Sequence, residues 1–176
     1  NMRKAHIKDG VAVTRFVYWL KKNIGKIPMD EVSVAEKLES FRKEQEGYIE
    51  PSFGTISAYG PNAAMCHYQA TKEDFSVLQP KGMYLVDSGG QYYEGTTDIT
   101  RTIVVGPLTE EEKDEVRSQI GEFRKYAPLI QNGRYYRLTD PFKSEVCAWE
   151  IVGNSQEEVL LNVVMEEIHG NMTVNY

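Results

Sequence analysis

Two aspartates have the residue type and the setting for chemistry. Asp87 ends the apolar run that begins at Met83, and Asp98 stands at the head of the segment ITRTIVV, so both carboxylates sit on short extended stretches. Hard oxygen donors held on rigid backbone with little rotamer freedom are what a divalent cation needs. Spacing alone leaves a second reading open, because an aspartate at a strand end is more often a cap or a turn former.

The elements around them follow from periodicity. Alternation in TTDITRTIVV places Asp98, Thr100 and Thr102 on one face of a strand and Ile99, Arg101 and Ile103 on the other. Gly89-Gly90 and Glu94-Gly95 mark a bulge and a turn. Upstream, Met2 to about Ile24 reads as a mostly buried helix with apolar positions Ile7, Val11, Val17, Leu20 and Ile24, thickened by Val13, Phe16 and Trp19. Ser33 and Glu36 have the form of a capping box opening a second, peripheral helix with Val34, Leu38 and Phe41 on one face. Extended pieces follow from Phe53 to Tyr59 and on to His67, broken by the turn Gly60-Pro61-Asn62.

Downstream, Thr109 with Glu112 opens a helix carrying Val116, Ile120, Phe123 and Leu129, which Pro128 should kink or end. Strands are expected at Arg134 to Leu138, Val146 to Val152, Val159 to Met165 and Met172 to Tyr176, with turns at Asp140-Pro141, Gly153-Asn154 and His169-Gly170. The clearest seam lies near residues 106 to 113, which divides the chain into segments 1–108 and 109–176.

Bulk properties exclude several classes of function. With 41% apolar and 26% charged residues the chain can bury a core and belongs among folded globular proteins. A formal charge of -6 offers no basic face for phosphates, so no nucleic-acid partner is expected. No apolar run is long enough to span a membrane and the N-terminus NMRKAHIKDG has no signal-like stretch, so the expected location is cytoplasmic, with no membrane partner. Cys66 and Cys147 lie outside any metal-ligand spacing and read as buried, reduced thiols. Asn171-Met172-Thr173 matches a glycosylation acceptor by accident.

The text around the aspartates, SFGTISAYGPNAAMCHY and GMYLVDSGGQYYEGTTDITRTIVVGPLTEEEK, resembles the Xaa-Pro aminopeptidases of the pita-bread (creatinase and methionine aminopeptidase) superfamily. That resemblance implies metal-ligand roles for Asp87 and Asp98, and for His67 a place in the site contacting substrate or intermediate. It also implies divalent cations, usually manganese, that activate a water for hydrolysis of the bond before proline. The family completes its metal site with one His and two Glu from the second half of the domain. No segment after residue 113 carries them: His169 sits in a turn-like setting, and Glu157, Glu158, Glu166 and Glu167 read as solvated charges.

Residues 109–176, including FRKYAPLIQNGRYYRLTDPFKSEVCAWEIVGNSQEEVLLNVVM, resemble a different group, the alpha-galactosidases of glycoside hydrolase family thirty-six, at their linker helix and C-terminal beta-sandwich. The two resemblances together imply an α+β chain: a partial pita-bread fold of two helices and antiparallel sheet, continued by a helix and sandwich strands. The functional expectation is a non-catalytic chimera with an incomplete metal site that binds manganese or another divalent cation weakly. Alternatives are a manganese-dependent Xaa-Pro aminopeptidase whose missing ligands come from another chain, and a carbohydrate-binding module resting on Tyr135, Tyr136 and Trp149, which otherwise read as core or interface aromatics. A homodimer through an exposed sheet edge or apolar face is the expected partner.

Overall fold

Helix α1 runs Met2–Asn23 and helix α2 Glu31–Lys43 in the computed structural model, which describes residues 1–140 and 142–165. The α1 helix ends with Lys21 and Lys22 in its last turn, where cations complement the carbonyl ends, and Gly25 then takes a left-handed φ of 74° that redirects the chain. Its buried stripe is Ala5, Asp9, Ala12, Val13, Phe16 and Leu20. Ile7 and Val11, expected on that stripe, are 69% and 45% exposed. The reason is that the buried line runs through two alanines and a charged residue, which a search for large apolar side chains passes over.

The capping box of α2 begins at Asp30, three residues before the expected one. Asp30 Oδ1 accepts from the Ser33 backbone N–H at 2.7 Å, and Ser33 Oγ accepts from the Asp30 N–H at 3.0 Å. Nor is α2 peripheral: Val34 and Leu38 are fully buried.

The chain divides into two compact units, Asn1–Glu110 and a second from Glu111 on. The first unit holds two three-stranded antiparallel sheets. One is ordered β2 (Ile56–Tyr59), β3 (Met83–Ser88), β6 (Ile99–Val104), and the other β1 (Tyr48–Pro51), β4 (Gly90–Tyr92), β5 (Gly95–Thr96). Alternation along β3 sends Tyr84, Val86 and Ser88 inward, where Tyr84, Val86 and Ile103 of β6 join Ala12, Val13, Phe16, Leu20, Val34, Leu38 and Phe41 from the helices in one core. Helices therefore cover one face of β2-β3-β6, and Asp87 points from the opposite face. Between β2 and β3 a short 3-10 helix, Gly60–Ala64, replaces the extended stretch expected to reach His67. Cys66 lies in the exposed turn after it and Cys147 is half-buried, so neither is the buried thiol expected.

Helix α3 spans Glu110–Asn132, in the second unit from Glu111 on, and continues through Pro128 rather than breaking there. The lost hydrogen bond would have ended on the carbonyl of exposed Arg124, which water can satisfy. Strands β7 (Arg134–Arg137), β8 (Val146–Val152) and β9 (Val159–Met165) form one antiparallel sheet in sequential order. Among the described residues this is a single three-stranded sheet and not the two stacked sheets of a sandwich. Tyr135 and Tyr136 are 56% and 45% exposed, so they are not core aromatics. Pro141, Glu166, Glu167, the His169-Gly170 turn, the Asn171-Met172-Thr173 motif and the expected strand Met172 to Tyr176 lie outside the described residues. No helix among the described residues is long and apolar enough to cross a membrane.

Two outcomes follow. Phe16→Ala should lower the stability of the first unit by about 3–5 kcal/mol, whereas Ile7→Ala should stay within about 0.5 kcal/mol, as read from urea unfolding. Alkali should also destabilise the fold. Burial first, and neighbouring carboxylates second, push the hydroxyls of Tyr48 and Tyr68 up to about 12 from an ordinary 10.0, and raise Tyr84 and Tyr92 as well. Between those limits the folded chain keeps protons that the unfolded chain has released, so stability is full below about pH 10 and falls as pH rises toward about 12. A urea midpoint that does not move across that window would refute the burial of these hydroxyls.

Candidate functional site

Strand pairing decides how the two aspartates stand to each other. Asp87 on β3 lies directly opposite Thr100 on β6, and the Thr100 hydroxyl donates to Asp87 Oδ1 at 2.8 Å. Asp98 comes two residues before Thr100, at the position diagonal to Asp87, where antiparallel pairs are spaced at about 7–8 Å. A period of two then puts both carboxylates on the face of the sheet away from the helices, with Asp87 half-exposed and Asp98 exposed. A carboxylate has about four lone-pair sites, so the bond from Thr100 leaves Asp87 able to take a cation.

These donors fit part of a divalent-cation site. Hard oxygens on an open face, with the backbone of both strands held by a ladder, suit such an ion. The fit is partial, because among the described residues there is no group of three or more His, Cys, Asp or Glu side chains placed to hold a metal. His67 accordingly does not join the aspartates in a ligand group. It is exposed, and its φ of 57° is left-handed, a conformation uncommon outside glycine.

What positions the loop of His67 is a buried acid that the sequence reading missed. Glu31, fully buried at the start of α2, accepts from the Tyr59 N–H at 2.6 Å, the Ser76 N–H at 2.7 Å, the Tyr68 hydroxyl at 2.7 Å and the Asn62 amide at 3.1 Å. One carboxylate thus gathers Tyr59, Asn62, Tyr68 and Ser76, from the end of β2 well into the segment that precedes β3. A carboxylate with this many donors needs no counter-ion to be tolerated in the interior.

A second buried acid, also missed, lies behind the aspartates. Asp9 of α1 pairs with Arg42 of α2 through Nε at 2.6 Å and Nη2 at 3.2 Å. Arg42 Nη2 also donates to Ser88 Oγ at 3.1 Å, while the Thr97 hydroxyl donates to Asp9 Oδ2 at 2.6 Å and the Tyr92 hydroxyl to Oδ1 at 3.2 Å. Removing one partner from a buried ion pair strands the other charge, at a cost of about 3–5 kcal/mol. The link between β3 and β4 beside it has no spare room: a Cβ on Gly89 would stand 1.9 Å from the Thr97 carbonyl oxygen, so only glycine fits. A signal for Asp9 and Arg42 did exist in the sequence. Each lies four residues beyond a buried apolar position, Ala5 and Leu38, and so each is a charge on a core-facing stripe.

Comparison with known proteins places this geometry. The profile of metallopeptidase family M24 matches residues 1–119. The chain is 45% identical over 137 residues to Xaa-Pro aminopeptidase 2 of Sus scrofa, an alignment covering 76% of this chain and 20% of that protein. Among solved structures, X-prolyl aminopeptidase of Caenorhabditis elegans, described as a cytosolic enzyme with a di-nuclear active site, superposes with a TM-score of 0.59 at 35% identity, covering 62% of this chain and 18% of that one. X-Pro aminopeptidase of Thermotoga maritima MSB8 gives a TM-score of 0.58 at 27% identity, covering 76% of this chain and 35% of that one. The chain spans about a fifth of the length of the curated relatives it matches.

These matches overturn the expected chimera. An aminopeptidase alignment over 76% of the chain needs more residues than the first 113 can supply, so it runs into the part assigned to an alpha-galactosidase. That part misled because a helix followed by a three-stranded antiparallel meander with aromatic and turn residues is generic, and its text fits unrelated folds. From its sequence and its fold alike, the chain belongs to metallopeptidase family M24.

Proposed function

We propose that this chain is the part of an Xaa-Pro aminopeptidase that contributes Asp87 and Asp98 as two ligands of a divalent-cation site, with His67 as a substrate contact. The observation that carries the reading is the pair of carboxylates on one open face of β3 and β6, within text 45% identical to an Xaa-Pro aminopeptidase. The ligands still needed come from outside the described residues, from the same protein or from another chain. Asp87 and Asp98 would hold divalent cations, with manganese the ion we name, and such ions would supply a water of lowered pKa and positive charge beside the scissile bond.

The chain's own residues set the rest. Thr100 orients the Asp87 carboxylate through its 2.8 Å bond, leaving the second oxygen clear. His67, on a loop fixed by Glu31, presents a ring that can donate a hydrogen bond to a substrate carbonyl. A cytoplasmic setting, as described for the nematode enzyme, belongs to the same proposal.

Hydrolysis of an Xaa-Pro peptide with manganese, by the protein that carries this chain, tests the reading. Asp98→Ala should lower kcat/KM at least about 100-fold, and His67→Ala should act chiefly on substrate turnover with metal content unchanged. An Asp98→Ala protein that keeps full activity would end the assignment.

A further inference from the structure

Resting on the ligand roles proposed for Asp87 and Asp98, we infer that the buried Asp9–Arg42 pair is a positioning device that sets the spacing of those two carboxylates from behind the sheet. The two arms of the pair reach the two chain neighbours of the ligands. Arg42 binds Ser88, the residue after Asp87, at 3.1 Å, and Asp9 binds Thr97, the residue before Asp98, at 2.6 Å. Neither ligand is touched. Instead, the residue beside each is locked to one salt bridge held at 2.6 Å between two helices.

Water cannot compete for these bonds, because Asp9, Arg42, Ser88 and Thr97 are each no more than 1% exposed. The same hydroxyl of Thr97 accepts from the Gly90 N–H at 2.9 Å, and Ser52 bridges the two strands by donating its N–H to the Gly89 carbonyl and its hydroxyl to the Thr97 carbonyl. Sliding β3 against β6 would break several of these buried bonds at once. Metal ligands must be held to within about 0.5 Å, and hydrogen bonds one layer behind the ligands are what usually provide that. A network built only for stability has no need to end on the residue adjoining each carboxylate.

Thr97→Val tests this, since it keeps the shape and deletes both roles of the hydroxyl, with Thr97→Ser as the rescue and Val34→Ala as a core variant that loses stability without touching the network. The readout is binding of manganese alone to the protein that carries this chain, followed by paramagnetic broadening of the amide signals at Asp87 and Asp98. Thr97→Val should weaken binding about 10- to 100-fold, with Thr97→Ser and Val34→Ala close to the unaltered chain. If Thr97→Val does not fold, Ser88→Ala is read in the same way from the other arm. Unchanged affinity in the folded variant overturns the inference and leaves the ligand assignment standing. Absence of broadening at Asp87 and Asp98 in the unaltered protein overturns the ligand assignment, and the inference with it.

Discussion

An ion pair with almost no access to water, Asp9 of α1 with Arg42 of α2, is the interaction that the first unit is arranged around. Taking two charges out of water is costly unless every remaining donor and acceptor is matched. Here Asp9 also accepts from Thr97 and Tyr92, and Arg42 also donates to Ser88. The requirement to satisfy those groups therefore acts as a constraint on strand β4, through Tyr92, and on four further stretches of chain. Two are helices, and two are the segments that carry Asp87 and Asp98.

That constraint works because the sheet β2-β3-β6 has two unlike faces. The face toward the helices is filled by Tyr84, Val86 and Ile103, while the other presents Asp87, Thr100 and Thr102. Alternation means that a residue gripped from the buried side has neighbours displayed on the open side, so Ser88 and Thr97 inside correspond to Asp87 and Asp98 outside. Glu31 does for the loop of His67 what Asp9 does for the strands, again with a carboxylate hidden from solvent. In both cases a helix carboxylate anchors the backbone beside residues proposed for the site, without a hydrogen bond to those residues themselves.

Strands were legible in the sequence where alternation is strong. Met83 to Asp87, Val146 to Val152 and Val159 to Met165 lie where the pattern put them, to within a residue. The register that pairs Asp87 with Thr100 was not legible, since β3-β4 and β5-β6 form one hairpin whose two-residue turn is Tyr93-Glu94, one residue before the Glu94-Gly95 turn expected from the sequence, and a one-residue slip changes every partner. The α1 stripe was misjudged because Ala5, Ala12 and Asp9 count for little on any hydrophobicity scale, while Ile7 and Val11 count for much and are exposed. The second half was misattributed because a meander of short strands says little about ancestry until a long alignment is weighed.

Residue types and local order are properties of the sequence, and they were enough to single out Asp87, Asp98 and His67 and the aminopeptidase text around them, and to expect carboxylate chemistry with a hard cation. Which side chains meet was decided only by tertiary structure. Asp9 and Thr97 are far apart along the chain, as are Glu31 and Ser76, and no short-range pattern encodes their contact. The physical reason is that a buried charge becomes tolerable only when its partners are brought to it from several elements at once, so its role exists in the folded protein and nowhere in the local sequence.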